Sequence, residues 1–476
     1  MQMQGDVLPI RAQGSRAPLS EELSLAATVI AAFESGSDLE SQLSAVFAQS
    51  NQQQTAHKSA KSMPSTAAVK EFVYRAVRQG GTLRALLNVL NQRLPAPWVL
   101  ALQKVVLAQL ITLQEGDDKS SSRLVAQAVE AVKGNRENAF AAGFLNATLR
   151  RFLRERMALM ASVGALPEAL YNHPVWWIEQ LKVDHPQHWQ SILQAGNGQA
   201  PMTLRVNNRL VSAEQYLELL QREQIAAVST PTHASHFGVI LDHAVPPQSL
   251  PGFSEGFVSV QDAGAQLAAI LLEPKDGMRV LDACAAPGGK SVHFLELANI
   301  DLLALDIDST RLARVAENLS RFRAGMANNK NINREFKGQL TLKAADARVP
   351  SQWWDGKHFD LVLADVPCSA SGIVRRHPDI RWRRQRGDLA TFQEQQTEML
   401  NSLWPVVKPG GKLLYVTCSV FRAEGNQVVE RFLNGRSNAQ RDTIDCDLLQ
   451  ADGYALPQGA YSLHDGFFYA RFSKTI

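Results

Sequence analysis

The sequence has few cysteines and no residue pattern that is typical of a metal site. Its 476 residues include four cysteines, at positions 284, 368, 418 and 446. None of them forms a C-x-x-C pair, and no histidine spacing resembles a zinc-binding motif. Few and scattered thiols fit a reducing compartment better than a disulfide-linked secreted domain. We therefore expect neither a disulfide framework nor a metal.

Long apolar runs are also missing. The first twenty residues contain three charged side chains and lack the apolar core of a signal peptide. The most apolar stretch, residues 97–114, is interrupted by Gln103, Lys104 and Gln109, which favours a buried helix over a membrane span. We expect a cytoplasmic protein that does not enter a membrane.

A strong excess of either charge is absent as well. The net charge is +3, so nucleic-acid binding has to rest on where the basic residues lie and not on their total. Hydrophobic residues make up 45% and charged residues 20% of the chain, which is typical of a globular protein. Its length predicts two or three domains.

The pattern of apolar residues changes twice along the chain. Residues 19–165 place apolar side chains at three- and four-residue spacing, which predicts an all-helical domain. Within it, the polar segment 48–65 predicts a long loop. Residues 166–251 mix short helical and strand-like runs, so we expect a small connecting α/β subdomain.

Short apolar runs alternate with helical segments in residues 252–476. This pattern predicts βαβ units and a mostly parallel sheet with helices on both faces. Ligands of such sheets bind beyond the carboxyl ends of the strands. Four acids end successive predicted strands, namely Asp282, Asp306, Asp346 and Asp365.

The loop after the first of these strands, "VLDACAAPGGKS", does not match the common phosphate-binding motifs. Its glycines at 288 and 289 are adjacent, so the G-x-G-x-x-G pattern is absent, and the Walker pattern fails because Cys284 occupies a glycine position. An NAD enzyme and an ATPase are therefore disfavoured. Small residues before a helix still allow a ligand to approach the backbone closely.

The acids at the strand ends favour a nucleoside with a cationic sulfonium group over one with phosphates. Asp306 can accept hydrogen bonds from both hydroxyls of a ribose, and Asp346 can face an adenine edge. The alternative is that some of these acids only cap helices or turns, as aspartate often does.

Two cysteines follow adjacent predicted strands, in "LADVPCSASG" (Cys368) and "YVTCSV" (Cys418). Each alone is most simply a buried apolar thiol, because free cysteine is among the most buried residue types. Two at neighbouring strand ends, beside a ligand loop, favour covalent chemistry.

These segments resemble the signature motifs of the S-adenosylmethionine-dependent RNA cytosine-5 methyltransferases. The likeness rests on "DACAAPGGK", on "LADVPCSASG" followed by "RRHPDI", and on "YVTCSV" followed by Glu424 and Asn426. It extends over most of the chain and is strongest to members that modify bacterial 16S ribosomal RNA. It implies a Rossmann-like methyltransferase domain after a NusB-like, RNA-binding helical domain.

The resemblance also implies roles for particular residues. Cys418 is the expected nucleophile, and Cys368 assists release of the product. Asp306 binds the ribose of S-adenosylmethionine and Asp346 its adenine, while Asp365 lies near the transferring methyl group. The loop that holds the methionine end of the cofactor consists of Cys284, Ala285, Ala286, Pro287, Gly288, Gly289 and Lys290.

An arginine-rich segment follows Cys368 closely. Residues 374–386 contain six arginines and a tryptophan, which contact phosphates and stack on bases, so we expect RNA contacts here. The alternative is an ordinary solvated surface, and the same choice applies to Arg150 and Arg154. The predicted RNA contacts are Arg375, Arg376, Arg381, Arg383 and Arg384.

Some features leave alternatives open. The polar insert 323–339 makes the register of Asp346 less certain, and Gly425 stands where the family usually has a polar residue. A DNA cytosine-5 methyltransferase would attack with Cys368, and a non-catalytic RNA-binding assembly factor would use neither cysteine. Another RNA, such as tRNA, is an alternative substrate. We expect a monomer.

Overall fold

The computed structural model describes residues 18–57, 64–230, 238–328 and 336–475, with the backbone alone at 50–57 and 328. The chain divides into two compact units, one up to Ile178 and one from Glu179 onward. The three-domain division at residues 19–165, 166–251 and 252–476 stays a prediction.

The described part of the first unit is built from helices, as the apolar spacing predicts. The likeness of this unit to NusB stays a prediction. The helices are α1 (Leu19–Glu34), α2 (Leu39–His57), α3 (Thr66–Arg78), α4 (Gly80–Leu90), α5 (Pro97–Thr112), α6 (Asp118–Gly134), α7 (Ala142–Gly164) and α8 (Pro167–Tyr171), and α9 (Val175–Asp184) contains the boundary between the units.

The apolar stretch predicted to be a buried helix is α5. Its polar residues are accommodated individually: the buried Gln103 exchanges two hydrogen bonds with Asn91, at 2.9 and 3.0 Å, and Lys104 pairs with Glu34. A buried amide that is fully paired costs little, so the helix can lie in the core. Among the described residues, no helix is long and apolar enough to cross a membrane.

The predicted loop at residues 48–65 is wrong in its first half. Helix α2 continues to His57. Glutamine and alanine are good helix formers, so a polar segment can extend a helix without burying an apolar face. Residues 58–63 of the predicted loop lie outside the described residues.

The second unit begins with a small antiparallel sheet, which fits the predicted connecting subdomain. The sheet has the strand order β2-β3-β1-β4, and every neighbouring pair is antiparallel. Tyr216 and Leu220 of the amphipathic helix α11 pack in its apolar core. Its elements are α10 (Trp189–Asn197), β1 (Met202–Val206), α11 (Ala213–Arg222), β2 (Ala227–Ser229), β3 (Gly238–Leu241) and β4 (Val258–Val260).

The larger sheet of the second unit is mostly parallel, as the alternating pattern predicts. Its order is β7-β6-β5-β8-β9-β12-β10, and β11 pairs with β12. The strands from β7 to β9 run parallel, and β12 runs antiparallel between β9 and β10. The strands are β5 (Arg279–Asp282), β6 (Asp301–Asp306), β7 (Gln339–Ala344), β8 (Phe359–Asp365), β9 (Val407–Thr417), β10 (Ala439–Arg441), β11 (Tyr454–Ala455) and β12 (Phe467–Lys474).

Helices connect these strands and bury their apolar sides against the sheet. Leu267 and Phe294 of the helices pack with Leu363 and Leu414 of the central strands in one apolar core. Each such fully buried side chain stabilises the fold by about 1.5–3 kcal/mol. The helices are α12 (Ala263–Leu272), α13 (Gly289–Leu297), α14 (Ser309–Asn328), α15 (Ile380–Arg383), α16 (Asp388–Leu403) and α17 (Asn426–Leu433).

The polar insert predicted at 323–339 begins as helix. Helix α14 continues to Asn328, residues 329–335 lie outside the described residues, and β7 starts at Gln339. Asp346 therefore stands two residues beyond the end of β7, close to its predicted position at the end of the third strand.

Candidate active site

The strand order creates a crevice at the carboxyl ends of β5 and β8. The chain runs from β5 outward to β6 and β7, and then crosses back to β8 on the other side of β5. Such a reversal opens a crevice between neighbouring strand ends, where ligands of open α/β sheets bind. Asp282, Asp306 and Asp365 end three of these strands, and Cys418 directly follows a fourth, β9.

The loop from Cys284 to Lys290 joins β5 to α13 at this crevice. Hydrogen bonds across the sheet hold its start: the Ala285 N–H donates to the Leu305 carbonyl at 2.7 Å. Gly288 has φ of +101°, and a Cβ there would lie 2.9 Å from the Val315 Cα. Only glycine adopts this conformation without strain, so the tight turn requires it.

Side chains outside the loop bind its carbonyl groups. Asn318 donates to the Pro287 carbonyl at 2.8 Å, and Arg205 donates to the Gly289 carbonyl at 2.8 Å. Arg205 is fully buried, and it also forms an ion pair with Glu296 at 2.7 Å. The antiparallel sheet therefore supports the loop through a buried guanidinium group.

A cavity of about 380 Å³ lies over these strand ends. Its size is in the range of small-molecule pockets. Ala285, Pro287, Gly288, Gly289 and Lys290 shape the loop without lining the cavity. The predicted site residues that line it are Cys284, Ala286, Asp306, Asp346, Asp365, Cys368 and Cys418.

Asp306 is buried at the floor of this cavity. Its carboxylate accepts hydrogen bonds from the backbone N–H groups of Ala286, at 3.2 Å, and Asp308, at 3.0 Å. The Asp306 carboxylate therefore fixes the backbone of the loop 284–290, in addition to facing the cavity.

Asp346 is bound to an arginine that the sequence analysis missed. Arg348 surrounds its carboxylate, donating from Nε at 3.1 Å and from Nη2 at 2.7 Å. These hydrogen bonds hold the pKa of Asp346 below its usual range. Both side chains line the cavity. An arginine two residues after the acid was visible in the sequence, but nothing there indicated a bidentate pair.

The two predicted catalytic cysteines face each other. Their Sγ atoms are 3.4 Å apart, at the ends of the neighbouring parallel strands β8 and β9. The hydrogen bond with Cys418 and then burial raise the pKa of the Cys368 thiol well above its usual value. Burial likewise raises the pKa of the Cys284 thiol, which lies 3.8 Å from the Met399 sulfur.

Lys290 brings a cation to the cysteine pair. Its ammonium group forms an ion pair with Asp365 and lies 5.9 Å from the centre of the Phe467 ring. Burial opposes its charge, but the Asp365 carboxylate and the negative charge at Cys418 raise its pKa. The Lys290 ammonium group therefore brings a positive charge near Cys418.

Two arginines in the first half of the arginine-rich segment are held in internal ion pairs, contrary to the predicted RNA contacts. Arg375 is 2% exposed and binds the Asp465 carboxylate and the Ser462 carbonyl. Arg376 binds the second oxygen of Asp465 at 2.5 Å and the Asp262 carboxylate at 2.9 Å. Direct contact of Arg375 with RNA is ruled out by its burial, and Arg376 is held in the same network.

Arg381 is also a structural residue, because it is fully buried and donates to the Asn197 side chain and the Gly196 carbonyl, each at 2.5 Å. Arg384 is half-buried, and its Nε donates to the Ser369 carbonyl at 3.0 Å. Arg383 is exposed, with its Nη1 3.9 Å from Asp379. Arg386 is exposed as well, although it was not among the predicted contacts.

Gly425, the departure from the family pattern, is explained by packing. A Cβ at this position would lie 2.0 Å from the Tyr454 hydroxyl oxygen. Tyr454 is fully buried and donates to the Phe421 carbonyl at 3.3 Å. The glycine therefore makes room for a buried tyrosine behind the Cys418 loop.

Comparisons with known proteins agree with this arrangement. Residues 269–473 match a family model described as 16S rRNA methyltransferase RsmB/F, and residues 173–248 match the ferredoxin-like domain of the same group. In the described ranges, no group of three or more His, Cys, Asp or Glu side chains is arranged to hold a metal ion.

Individual relatives are similar over most of the chain. Ribosomal RNA small subunit methyltransferase B of Vibrio cholerae is 42% identical over 333 residues, which cover 70% of this chain and 72% of that protein. The Pseudomonas putida protein of the same name is 42% identical over 344 residues, covering 70% and 74%.

Solved structures share the fold at lower identity. The crystal structure of PH0851 is 21% identical, with a TM-score of 0.72 over 96% of this chain and 99% of that chain. NSun6 from Pyrococcus horikoshii, solved with SFG, is 18% identical, with a TM-score of 0.53 over 64% and 98%.

Proposed function

The chain belongs to the RsmB/F family of 16S rRNA methyltransferases, and we propose that its two facing cysteines carry out the reaction of that family. It is an S-adenosylmethionine-dependent enzyme that methylates carbon 5 of a cytosine in 16S ribosomal RNA. The proposed roles of individual residues go beyond the family assignment. In this proposal, Cys418 attacks the base and Cys368 assists release.

One observation carries the proposal: the Sγ atoms of Cys368 and Cys418 lie 3.4 Å apart on the wall of one cavity. Two buried core thiols would be expected to face apolar side chains, whereas these two share the cavity with Asp306, Asp346 and Asp365. Nucleophile and proton carrier within contact distance are what covalent catalysis requires.

The residues around the cavity fit S-adenosylmethionine. Three carboxylates line the cavity, which suits a ligand with hydroxyl groups and a positive sulfonium, and Gly288 brings the loop backbone close. We assign Asp306 to the ribose, Asp346 to the adenine and the loop 284–290 to the methionine end. When bound there, the cofactor supplies a methyl group on a positively charged sulfur.

The proposed reaction begins at Cys418. Its thiolate forms a bond to carbon 6 of the cytosine, and the electron pair of the C5–C6 double bond moves to carbon 5. Carbon 5 then takes the methyl group, whose former bonding pair stays on the sulfur. We assign Asp365, whose carboxylate is ion-paired with Lys290 on the cavity wall, to the side of the transferring methyl group and the cytosine ring. The base has to leave its stack to reach Cys418.

Release reverses the thiol addition. The carbon 5 proton is transferred to a base, its electron pair restores the C5–C6 double bond, and the C6–S bond breaks to return Cys418 as a thiolate. Cys368 lies against Cys418, where its thiol can donate a hydrogen bond to the leaving sulfur. The Lys290 ammonium stabilises the leaving thiolate in the same way as it stabilises the attacking one.

Methylation of RNA by single-cysteine variants tests these roles. Protein-free 16S rRNA is incubated with labelled S-adenosylmethionine, and 5-methylcytosine is mapped. Cys418→Ala is expected to abolish methylation and to keep cofactor affinity, because the thiolate is lost and the loop is intact. Cys368→Ala is expected to accumulate a covalent protein–RNA adduct that survives denaturing electrophoresis, because release is blocked.

Cys446→Ala is the matched control, since this thiol lies outside the cavity. Its methylation rate should equal that of the unmodified protein. An adduct in the Cys418 variant together with loss of methylation in the Cys368 variant would reverse the two roles, as in the DNA-type assignment. If neither variant lost methylation, catalysis by these cysteines would be contradicted. The monomeric state and the cytoplasmic location stay predictions.

A further inference from the structure

Glu424 is a fully buried acid to which the proposed reaction assigns no role. It ends a short 3₁₀ turn after the Cys418 loop, and its side chain is 0% exposed. Its carboxylate accepts hydrogen bonds from the Ser369 N–H at 2.6 Å, from the Ser419 hydroxyl at 2.6 Å and from the Gln396 amide at 3.2 Å. The Ser369 hydroxyl also donates to it.

The two serines that bind Glu424 are the residues directly after the two cysteines. Ser369 follows Cys368, and Ser419 follows Cys418. One carboxylate therefore joins the loops that carry both sulfur atoms. Every one of these contacts is buried, so water does not weaken them.

Further hydrogen bonds between the same loops depend on this arrangement. Ser371 and Ser419 share a hydrogen bond of 2.9 Å through their hydroxyl groups, and the Val420 N–H donates to the Ser371 hydroxyl at 2.9 Å. Glu424 is the charged member of this network. Because it binds both loops, its position sets their separation and thus the 3.4 Å between the sulfur atoms.

The partners of Glu424 match an ionised carboxylate. A backbone N–H and an amide NH₂ can only donate hydrogen bonds, and a carboxylate can only accept them. Burial raises the pKa of Glu424, and the hydrogen bonds from Ser369, Ser419 and Gln396 oppose this shift. Four hydrogen-bond donors thus compensate the burial of this acid.

The charges around the thiol pair are distributed unequally. The Lys290 cation acts on Cys418, whereas the negative charge of Glu424 acts on Cys368 and contributes to its raised pKa after the Cys418 hydrogen bond and burial. The negative charge of Glu424 therefore disfavours a thiolate at Cys368. The titratable groups that face the pair are Lys290, Asp365, Tyr415, Glu424 and Tyr469.

We propose that Glu424 is a positioning residue for the methyl transfer: its carboxylate, bound twice by the residue after Cys368 and once by the residue after Cys418, holds the two cysteine loops together so that Cys418 is the thiol that attacks. This inference rests on the proposed roles of the two cysteines. In this proposal, an acid that contacts neither the RNA nor the cofactor determines which of the two thiols attacks.

The test compares Glu424→Gln, Glu424→Asp and the control Glu430→Gln, an exposed acid on α17. Glu424→Gln keeps the shape and removes the charge. Its kcat is expected to fall by about 10- to 100-fold, with the Kd for S-adenosylmethionine and the KM for RNA unchanged. The acid limb of its pH–kcat profile moves to lower pH, because a negative neighbour no longer holds a proton on the pair.

Limited alkylation with iodoacetamide, followed by peptide mass spectrometry, reads the proton position directly. The unmodified protein and Glu430→Gln should be labelled at Cys418 in preference to Cys368, and the share at Cys368 should rise in Glu424→Gln. Glu424→Asp keeps the charge but shortens the side chain, so it should keep the labelling preference while losing kcat. Folding of each variant is checked by its affinity for S-adenosylmethionine.

Two results distinguish failure of this inference from failure of the catalytic roles. Normal kcat and unchanged labelling in Glu424→Gln would overturn the role of Glu424 alone. Preferential labelling of Cys368 in the unmodified protein would overturn the assignment of Cys418 as nucleophile. If Glu424→Asp lost the labelling preference as fully as Glu424→Gln, the charge would not be the cause, and the proposal would fail in that part.

Discussion

At the residue scale, Asp346 shows how an acid can be prepared for a ligand before the ligand binds. Arg348 holds its carboxylate on one side, and the cavity lies on the other. Because Arg348 lowers the pKa of Asp346, the acid is ionised at every pH above its ordinary range. Its orientation is therefore fixed and its charge is constant before any ligand enters the cavity.

Replacing Asp346 by asparagine should weaken cofactor binding by about 5- to 10-fold, the value of roughly one hydrogen bond. RNA affinity should not change. Isothermal titration calorimetry with S-adenosylmethionine measures the effect. With the native acid, the contribution of Asp346 should be constant between about pH 5 and 8, because its titration lies below that window. The assignment would be contradicted if the native protein lost cofactor affinity markedly between about pH 5 and 8 and the Asp346→Asn variant did not.

The closeness of the two cysteines could be predicted from the sequence because their type and position carry the signal. Cys368 and Cys418 follow strands that an apolar run identifies, and parallel strands place their carboxyl ends at one edge. The arginine contacts could not be predicted in the same way. The partner of Arg375 is Asp465, 90 residues later, and neither local composition nor spacing indicates that pairing.

At the scale of elements, a close contact between two glycines joins the Cys368 loop to the start of β12. The Gly466 N–H donates to the Gly372 carbonyl, and the Gly372 N–H donates to the Cys418 carbonyl, each at 2.9 Å. A Cβ on Gly372 would lie 2.0 Å from the Gly466 oxygen. Backbone chains can approach this closely only where neither carries a side chain.

Gly372→Ala should therefore destabilise the fold by about 1–3 kcal/mol through overpacking and should lower kcat more than cofactor affinity. The added methyl group should displace the Cys418 loop and not the loop at 284–290. Thermal unfolding and single-turnover methylation measure the two effects. Gly387→Ala is the control, because a Cβ there meets no atom within 4 Å. Equal stability of the two variants would show that the contact is not tight.

Element types were predictable where apolar spacing was regular, but their ends were not. The predicted loop at 48–65 and the insert at 323–339 both begin inside helices, α2 and α14. Polar residues with good helix propensity continue a helix beyond its apolar face, and periodicity gives no sign of where they stop. The four-stranded antiparallel sheet was likewise seen only as a mixed segment, because its short strands pair with distant partners.

At the scale of the whole molecule, a net charge of +3 leaves RNA affinity to a few exposed cations. In the arginine-rich segment, Arg375 and Arg381 are used internally, so the exposed Arg383 and Arg386 are the remaining candidates together with half-buried Arg384. Each phosphate contact contributes about 0.7–0.9 to the slope of log affinity against log salt.

Replacing Arg383 and Arg386 by alanine should reduce this slope by about 1.4–1.8. Fluorescence anisotropy with a 16S rRNA fragment, at salt from about 50 to 200 mM, measures it. The double control Arg222→Ala/Arg431→Ala removes two exposed cations from other helices, α11 and α17, and should leave the slope unchanged. An unaltered slope in the Arg383/Arg386 variant would exclude both residues as phosphate contacts.

The fold class was predictable from the alternation of strands and helices, and the resemblance supplied the reaction. Neither the family motifs nor the periodicity indicated that the site is completed by β12. The acid before this strand, Asp465, neutralises Arg375 and Arg376 beside the Cys368 loop.

The position of β12 has a consequence for folding during synthesis of the chain. The strand lies between β9 and β10, yet it is translated after every other strand of the sheet. Until it leaves the ribosome, β9 lacks one of its two neighbouring strands, and Arg375 and Arg376 lack one of their two acidic partners, Asp465. The Cys418 loop therefore acquires its final support only after residues 465–474 have emerged from the ribosome, whatever the state of the helices and strands made before them.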